Sequence, residues 1–277
     1  MEKVMLLPLS ELRPFKDHPF KIQNDEEMER IVESIRKVGV LAPGLARPTA
    51  DGSYELVSGH RRLAACQQLE LETMPVVVRE MTDDEAVIAM VDANLQREHI
   101  LPSEKAFAYK MKYEAMRHQG TSSQLGTKLR TDEMMAEQSG DSRNQIQRFI
   151  RLTNLIPEIL AKVDEGKIAF NPAVELSYLS EEQQRDLLAA MEKNQCTPSH
   201  AQAIQLKRAS QAGTLDRDAI QALMQQEKPN QQEQIKLRRE DFRSFFPPHY
   251  TGEQIKRDIL KGLELLKRQR ERSRDAR

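Results

Sequence analysis

Two clusters of side chains in this sequence have the types and spacing to do chemistry. In the first, Arg61 and Arg62 follow Gly59 where a β-prone apolar run (Tyr54, Leu56, Val57) gives way to Leu63, Ala64, Ala65 and Leu69 at helical spacing. Gly59 lets the backbone come close to a ligand, and the first amides of the helix lack intrahelical partners at the positive end of its dipole. Guanidinium groups at such a junction suit phosphate. Solvated or salt-bridged arginines on an ordinary helix start would give the same pattern, so the stretch alone leaves both readings open.

The second cluster lies between Ser142 and Asn154. Arg143, Asn144, Gln147, Arg148 and Arg151 share the polar side of a helix whose apolar side carries Ile146, Phe149 and Ile150. Arg pairs bidentately with guanine edges and Asn or Gln with adenine edges, and Arg also holds phosphate. Thr131 to Gln138 reads as a shorter helix before it, with Ser139-Gly140 as the turn and Met135 and Ala136 available for packing. The pair over 131–154 fits a helix-turn-helix whose second helix enters the major groove, with Ser142 counted among the DNA contacts. An ordinary helical hairpin with a polar face competes with it.

The elements that must position these clusters follow from periodicity. Val4 to Leu9 reads as a short strand, and the proline-broken ELRPFKDHPFKIQ as a loop in which Lys16, His18 and Lys21 would face a ligand or solvent. Met28, Ile31, Val32, Ile35 and Val38 define a helix capped by Asn24 or Asp25 and stopped by Gly39. LARP, the Asp51-Gly52 turn and YELVS make a hairpin leading into Gly59. The strand PVVVRE and a helix capped by Thr82 come next, and from Pro102 the chain reads as helical, with Ser103 as a cap. A polar stretch at 120–130 and a Gln/Asn-rich linker at 225–234 interrupt it. In the last helix Ile255, Ile259, Leu260, Leu263 and Leu266 make a narrow apolar stripe that needs cover, from the preceding segment or from a second copy of the chain. The basic end, KRQRERSRDAR, is expected to be a solvated tail or a DNA contact.

Composition bounds the rest. The 277 residues include 31% charged side chains at a formal net charge of -1, so any nucleic-acid surface must be a local stripe. Cys66 and Cys196 have neither zinc nor redox spacing, which fits a reducing compartment and the cytoplasm. MEKVMLLPLSEL lacks the features of an export leader, and no stretch approaches a membrane span.

Three separated motifs share one resemblance. GVLAPGLARP (Gly39 to Pro48), SGHRRLAA (Ser58 to Ala65) and DANLQREHILPSEKA (Asp92 to Ala106), followed by a helix-turn-helix ending in RLTNL, resemble the ParB family of plasmid and chromosome partition proteins, over about residues 4 to 210. The resemblance implies an α+β chain: a small mixed α/β nucleotide-binding domain (1–100), an all-helical DNA-binding domain (101–225), then a linker and a dimerisation helix (226–277). It implies a dimeric clamp, dependent on CTP and Mg2+, on a palindromic centromere-like site in double-stranded DNA, placing the protein on the nucleoid or a plasmid. Gly59, His60, Arg61 and Arg62 would hold the triphosphate, Asn94 would sit at the metal and phosphates, and Gln96 and Arg97 would complete that wall. Guanidiniums and amides suit phosphate, and an amide oxygen suits a hard cation.

This chain departs from the family pattern in three places. His60 stands where the arginine motif usually has Glu, and the family's Glu-Asn pair is Ala93-Asn94. CTP hydrolysis is therefore expected to be weak or absent, with Asp92 one residue too early to substitute. The family's ParA-type ATPase partner engages a basic arm before the first motif, whereas here the first strand is expected almost at Met1, which leaves that partnership open. Three competing readings follow: a transcriptional regulator using the first domain as a ligand sensor, a nuclease, which would need clustered carboxylates, and a sulfiredoxin-like phosphotransferase. The last needs a reactive cysteine where Gly59 stands.

Overall fold

The computed structural model describes residues 4–22, 25–97, 99–122, 131–226, 245–246 and 250–275. It divides into two compact units, 1–226 and 227–277. The first begins with β1 (Val4–Pro8), β2 (Leu12–Pro14), α1 (Glu26–Val38), β3 (Gly44–Pro48), β4 (Tyr54–Ser58), α2 (His60–Gln68), β5 (Thr73–Val78) and α3 (Asp83–Leu95). The five strands form one mixed sheet in the order β1-β5-β3-β4-β2. β3 and β4 pair antiparallel through the expected hairpin, while β5 joins β3 in parallel. The adjacent apolar pair Leu56-Val57 in β4 has a direct cause. Leu56 packs with the α1 and α2 side of the sheet and Val57 with the α3 side, so β4 is buried on both faces.

Two local expectations are corrected. A 3-10 turn at Leu9–Glu11 ends the first strand, and the segment expected to be a loop contains β2, which pairs in parallel with β4. Pro14 is tolerated because β2 is the edge strand, where a missing N–H need not cost a ladder bond. Ser103 is not a cap: α4 (Pro102–Ser122) already has Pro at its first position, and Glu104 accepts from the Leu101 amide at 3.1 Å. Ser103 instead donates its amide and its hydroxyl to the two oxygens of Asp164, at 2.9 and 2.5 Å.

After α4 come α5 (Thr131–Ser139), α6 (Arg143–Leu152), α7 (Pro157–Asp164), α8 (Phe170–Leu176), α9 (Glu181–Asn194), α10 (His200–Gln211) and α11 (Arg217–Gln225). Leu152, Ile159, Leu176, Leu187 and Leu206 are fully buried in their shared core. A smaller cluster of Tyr109, Met135 and Ile146 packs α5 and α6 on α4. The second unit carries α12 (Gly252–Asp275), on which Leu260, Leu263 and Leu266 are each more than half exposed. Most of the 120–130 stretch and of the 225–234 linker lies outside the described residues. No helix among the described residues is long and apolar enough to cross a membrane.

Candidate nucleotide cleft and DNA-reading helix

Gly59 is the N-cap of α2 at φ 107°, a left-handed conformation that favours glycine. A Cβ there would stand 3.2 Å from the Gly44 Cα and from Arg62 Nη2, so strand β3 and the junction can approach only because both residues are glycine. The α2 N-terminus opens into a cleft of about 490 Å³ walled by α1 (Arg30, Ile31, Ile35), the 39–42 loop, Ser58 to Arg62, and the end of α3 (Ala93, Asn94, Arg97). A second cleft of about 880 Å³ shares Glu27, Arg30, Arg61 and Arg97 with it and reaches Lys21 and Glu104.

Of the four arginines that line the cleft, Arg61, Arg62 and Arg97 are held differently. Arg61 lies between Asp25 (2.7 Å) and Glu27 (2.6 Å) at the start of α1, and its Nε is buried without a partner. Asp25 is also the α1 N-cap. The Met28 amide bonded to it, and then Arg61, hold its carboxyl below the usual range. Arg62 donates to the carbonyls of Ala42 and Pro43, tying the 39–43 loop to α2. Burial lowers the pKa of Arg62 and of Arg97, and for Arg97 the charge of Arg61 adds to the effect. Cations crowded this way gain from an incoming anion.

Of the remaining residues on this wall, Asn94 is buried and donates Nδ2 to the Met90 carbonyl at 2.8 Å, which leaves Oδ1 to accept from or coordinate a ligand. Gln96 is exposed at the C-cap of α3 and lines neither cleft, so it does not join the wall as expected. The His60 imidazole is also spent elsewhere. It accepts from the Phe15 amide at 3.2 Å and lies 3.9 Å from the His18 ring, centroid to centroid. Burial, then His18 and Arg97, push it down to about 3. His60 lines the cleft as a residue, with its ring already engaged by these two contacts. Ala93 turns a methyl to the cleft, while Asp92 reaches away from it to Lys112 on α4 at 2.5 Å. Cys66 is fully buried in α2, and burial raises its pKa, which removes the reactive thiol of the sulfiredoxin-like reading.

On α6, Ser142 is the N-cap and accepts from the Gln145 amide. Asn144 and Gln147 are exposed and, with Arg151, centre the side opposite Ile146 and Leu152. Arg143 is bound to Asp132 of α5 at 2.5 Å and reaches Glu133 at 3.5 Å. Arg148 donates to Asn171 at 2.6 Å beside the Phe170 ring. The turn between the helices is fixed from α4, where Lys105 and Tyr109 both bind Asp141 at 2.5 to 2.6 Å.

Residues 1–95 match the family model of the ParB N-terminal domain, and residues 101–207 match that of the ParB HTH domain. The chain belongs to the ParB family. It is 36% identical over 179 residues to the chromosome-partitioning protein Spo0J of Thermus thermophilus, across 65% of this chain and 61% of that protein. The match thus spans about three fifths of that relative's length. Among solved structures, the C-terminally truncated ParB of Caulobacter crescentus complexed to the centromeric parS site is 25% identical, covering 79% of this chain and 98% of that one, with a TM-score of 0.45. The same protein complexed with CTP-gamma-S is 30% identical over 63% of this chain and 92% of that one, at a TM-score of 0.33.

The structure thus brings Gly59, His60, Arg61, Arg62, Asn94 and Arg97 around one space and leaves out Gln96, while the His60 ring is already engaged by the Phe15 amide and His18. Sequence reasoning missed Arg30, one helical turn beyond Glu26, which lines both clefts. In the ParB HTH domain the six expected residues share one helix start and face.

Proposed function

We propose that this chain is a partition protein that binds a specific palindromic site in double-stranded DNA through α5 and α6 and uses CTP as a switch. The observation that carries the reading is the convergence of Arg61, Arg62 and Arg97 on a cleft at the N-terminus of α2, in a chain whose next domain is a ParB HTH domain. The α2 amides and Arg61 would take the triphosphate, Arg61 exchanging Asp25 and Glu27 for phosphate oxygens, while Arg62 would add its remaining N–H donors without releasing the 39–43 loop. Mg2+ fits only as an ion carried by the phosphates, since Asn94 Oδ1 supplies one neutral oxygen. No group of three His, Cys, Asp or Glu that could hold a metal occurs among the described residues. When bound, the nucleotide would supply the negative charge that the α2 amides, Arg61, Arg62 and Arg97 are placed to hold. Because Ala93 places a methyl where a carboxylate would be needed, the chain binds CTP and hydrolyses it weakly or not at all. The clamp is a homodimer, paired through the leucines of α12, acting on the nucleoid or a plasmid in the cytoplasm. The domains are 1–100, 101–225 and 226–277. Among the described residues no surface singles out a ParA-type ATPase as a further partner.

The test is isothermal titration with CTP, ATP, GTP and UTP in Mg2+, with and without a parS duplex, and with Arg61→Ala as control. Selective CTP binding that the variant loses is the expected result. Absence of nucleotide binding under every condition would leave a DNA-binding regulator with a ligand-free first domain.

A further inference from the structure

Arg151 differs from the other two arginines of α6 in how it is held. Arg143 is neutralised by carboxylates and Arg148 is anchored by an amide oxygen, but the partner of Arg151 is an aromatic ring. Its guanidinium carbon lies 3.4 Å from the ring centroid of Tyr178, in the turn after α8. The Lys207 ammonium, from α10, lies 3.7 Å from the same centroid. Two cations that close to one centroid cannot share a face, so they sandwich the ring. Lys207 is paired with Glu175 at 2.8 Å. Arg151 forms no ion pair among the described residues; it donates Nη2 to the Ser177 carbonyl at 3.4 Å, and its Nε is buried without a partner.

A ring face fixes a guanidinium without neutralising it, whereas a carboxylate does both. Arg151 therefore keeps its full charge and loses little freedom on meeting a ligand. It opens on a groove of about 340 Å³ that Lys110, Gln147, Arg148, Asn154 and Tyr178 also line, and no carboxylate lines it. That combination is what a phosphate or a guanine edge requires.

We propose that Tyr178, which lies outside the helix-turn-helix pair, is the residue that positions Arg151 for double-stranded DNA by stacking beneath its guanidinium. The proposal rests on the DNA-binding reading above. Tyr178 is 38% exposed, so the ring can be changed at the surface.

The experiment is fluorescence anisotropy of the full chain on a parS duplex and on a scrambled duplex of the same composition. The variants are Tyr178→Leu, Tyr178→Phe, Arg151→Ala and the Tyr178→Leu/Arg151→Ala double. Tyr178→Leu is expected to weaken parS binding by about threefold to tenfold, the range of a partly desolvated cation-π contact. Tyr178→Phe keeps the ring face and retains wild-type affinity, and the double variant binds no more weakly than Arg151→Ala alone. A fluorinated phenylalanine at 178 keeps the shape but removes the negative face, and should reproduce the loss even if the leucine variant does not fold. Unchanged or tighter binding by the Leu and fluorinated variants overturns the proposal, as does a double variant weaker than Arg151→Ala. Wild-type protein that fails to prefer parS over the scrambled duplex defeats the DNA-binding reading instead.

Discussion

Lys112 gives the sharpest energetic prediction. Its side chain is 1% exposed on α4, with Nζ 2.5 Å from Asp92 of α3 and 2.8 Å from the Gln138 amide oxygen of α5. One buried ammonium thus ties α3, which ends at the candidate nucleotide cleft, to α5 of the HTH domain. Desolvating such an ion costs several kcal/mol, which only its close partners offset. The two ends are unequal: Asp92 is 49% exposed and Lys112 is not. Removing the carboxylate leaves a buried charge with one neutral acceptor, whereas removing the charge leaves a carboxylate that water already reaches.

Asp92→Ala is therefore expected to cost about 3 kcal/mol, the lower end for an orphaned buried charge because the site is open on the aspartate side. In a unit of this size that is a fall in Tm of about 6–12 °C. Lys112→Met keeps the apolar stem and abolishes the charge, so its stability should stay within about 1 kcal/mol of wild type. Calorimetric melting of both variants checks the asymmetry. Equal losses, or a larger loss in Lys112→Met, would refute the reasoning. The same Asp92→Ala protein tests the chemistry, because Asp92 faces α4 and not the cleft: any residual CTP turnover should survive in it.

Three further outcomes are expected. The unfolded chain binds a proton at His60 that the folded chain refuses between about 3 and the ordinary histidine value near 6.5, so stability should rise with pH across that window and be complete above it. Urea midpoints from about pH 4 to pH 7 should show a slope of up to about 1.4 kcal/mol per pH unit from this group, which His60→Gln removes. Gly59→Ala should lose about 1–2 kcal/mol to the left-handed backbone and weaken CTP binding in calorimetric titration, because its Cβ presses on Gly44 and Arg62. Asn144→Ala should weaken parS binding in an anisotropy titration with no change in Tm, because its side chain is exposed, whereas Arg143→Ala should lower both by detaching α6 from the buried Asp132.

How much of this was legible in the sequence depended on the range of the interactions. Wherever a residue's role is set by its neighbours along the chain, the pattern sufficed. The Asp25 cap, the Thr82 cap and the hairpin into Gly59 all stand where local chemistry put them. Errors fell where a distant partner decides. Pro14 marks a loop until β4 is known to lie beside it, Ser103 marks a cap until Asp164 takes its hydroxyl, and His60 looks like a ligand until Phe15 and His18 claim its ring.

The candidate site follows the same rule at a finer level. Arg61 and Arg62 are adjacent in sequence and were indistinguishable there, yet one is countered by two carboxylates of α1 and the other is bound to the carbonyls of the 39–43 loop. Only Arg61 can exchange its partners for phosphate without opening the fold, since Asp25 and Glu27 are themselves part-exposed and can return to water. The spacing that announced a phosphate site could not rank the two, because the ranking resides in what each arginine would have to give up.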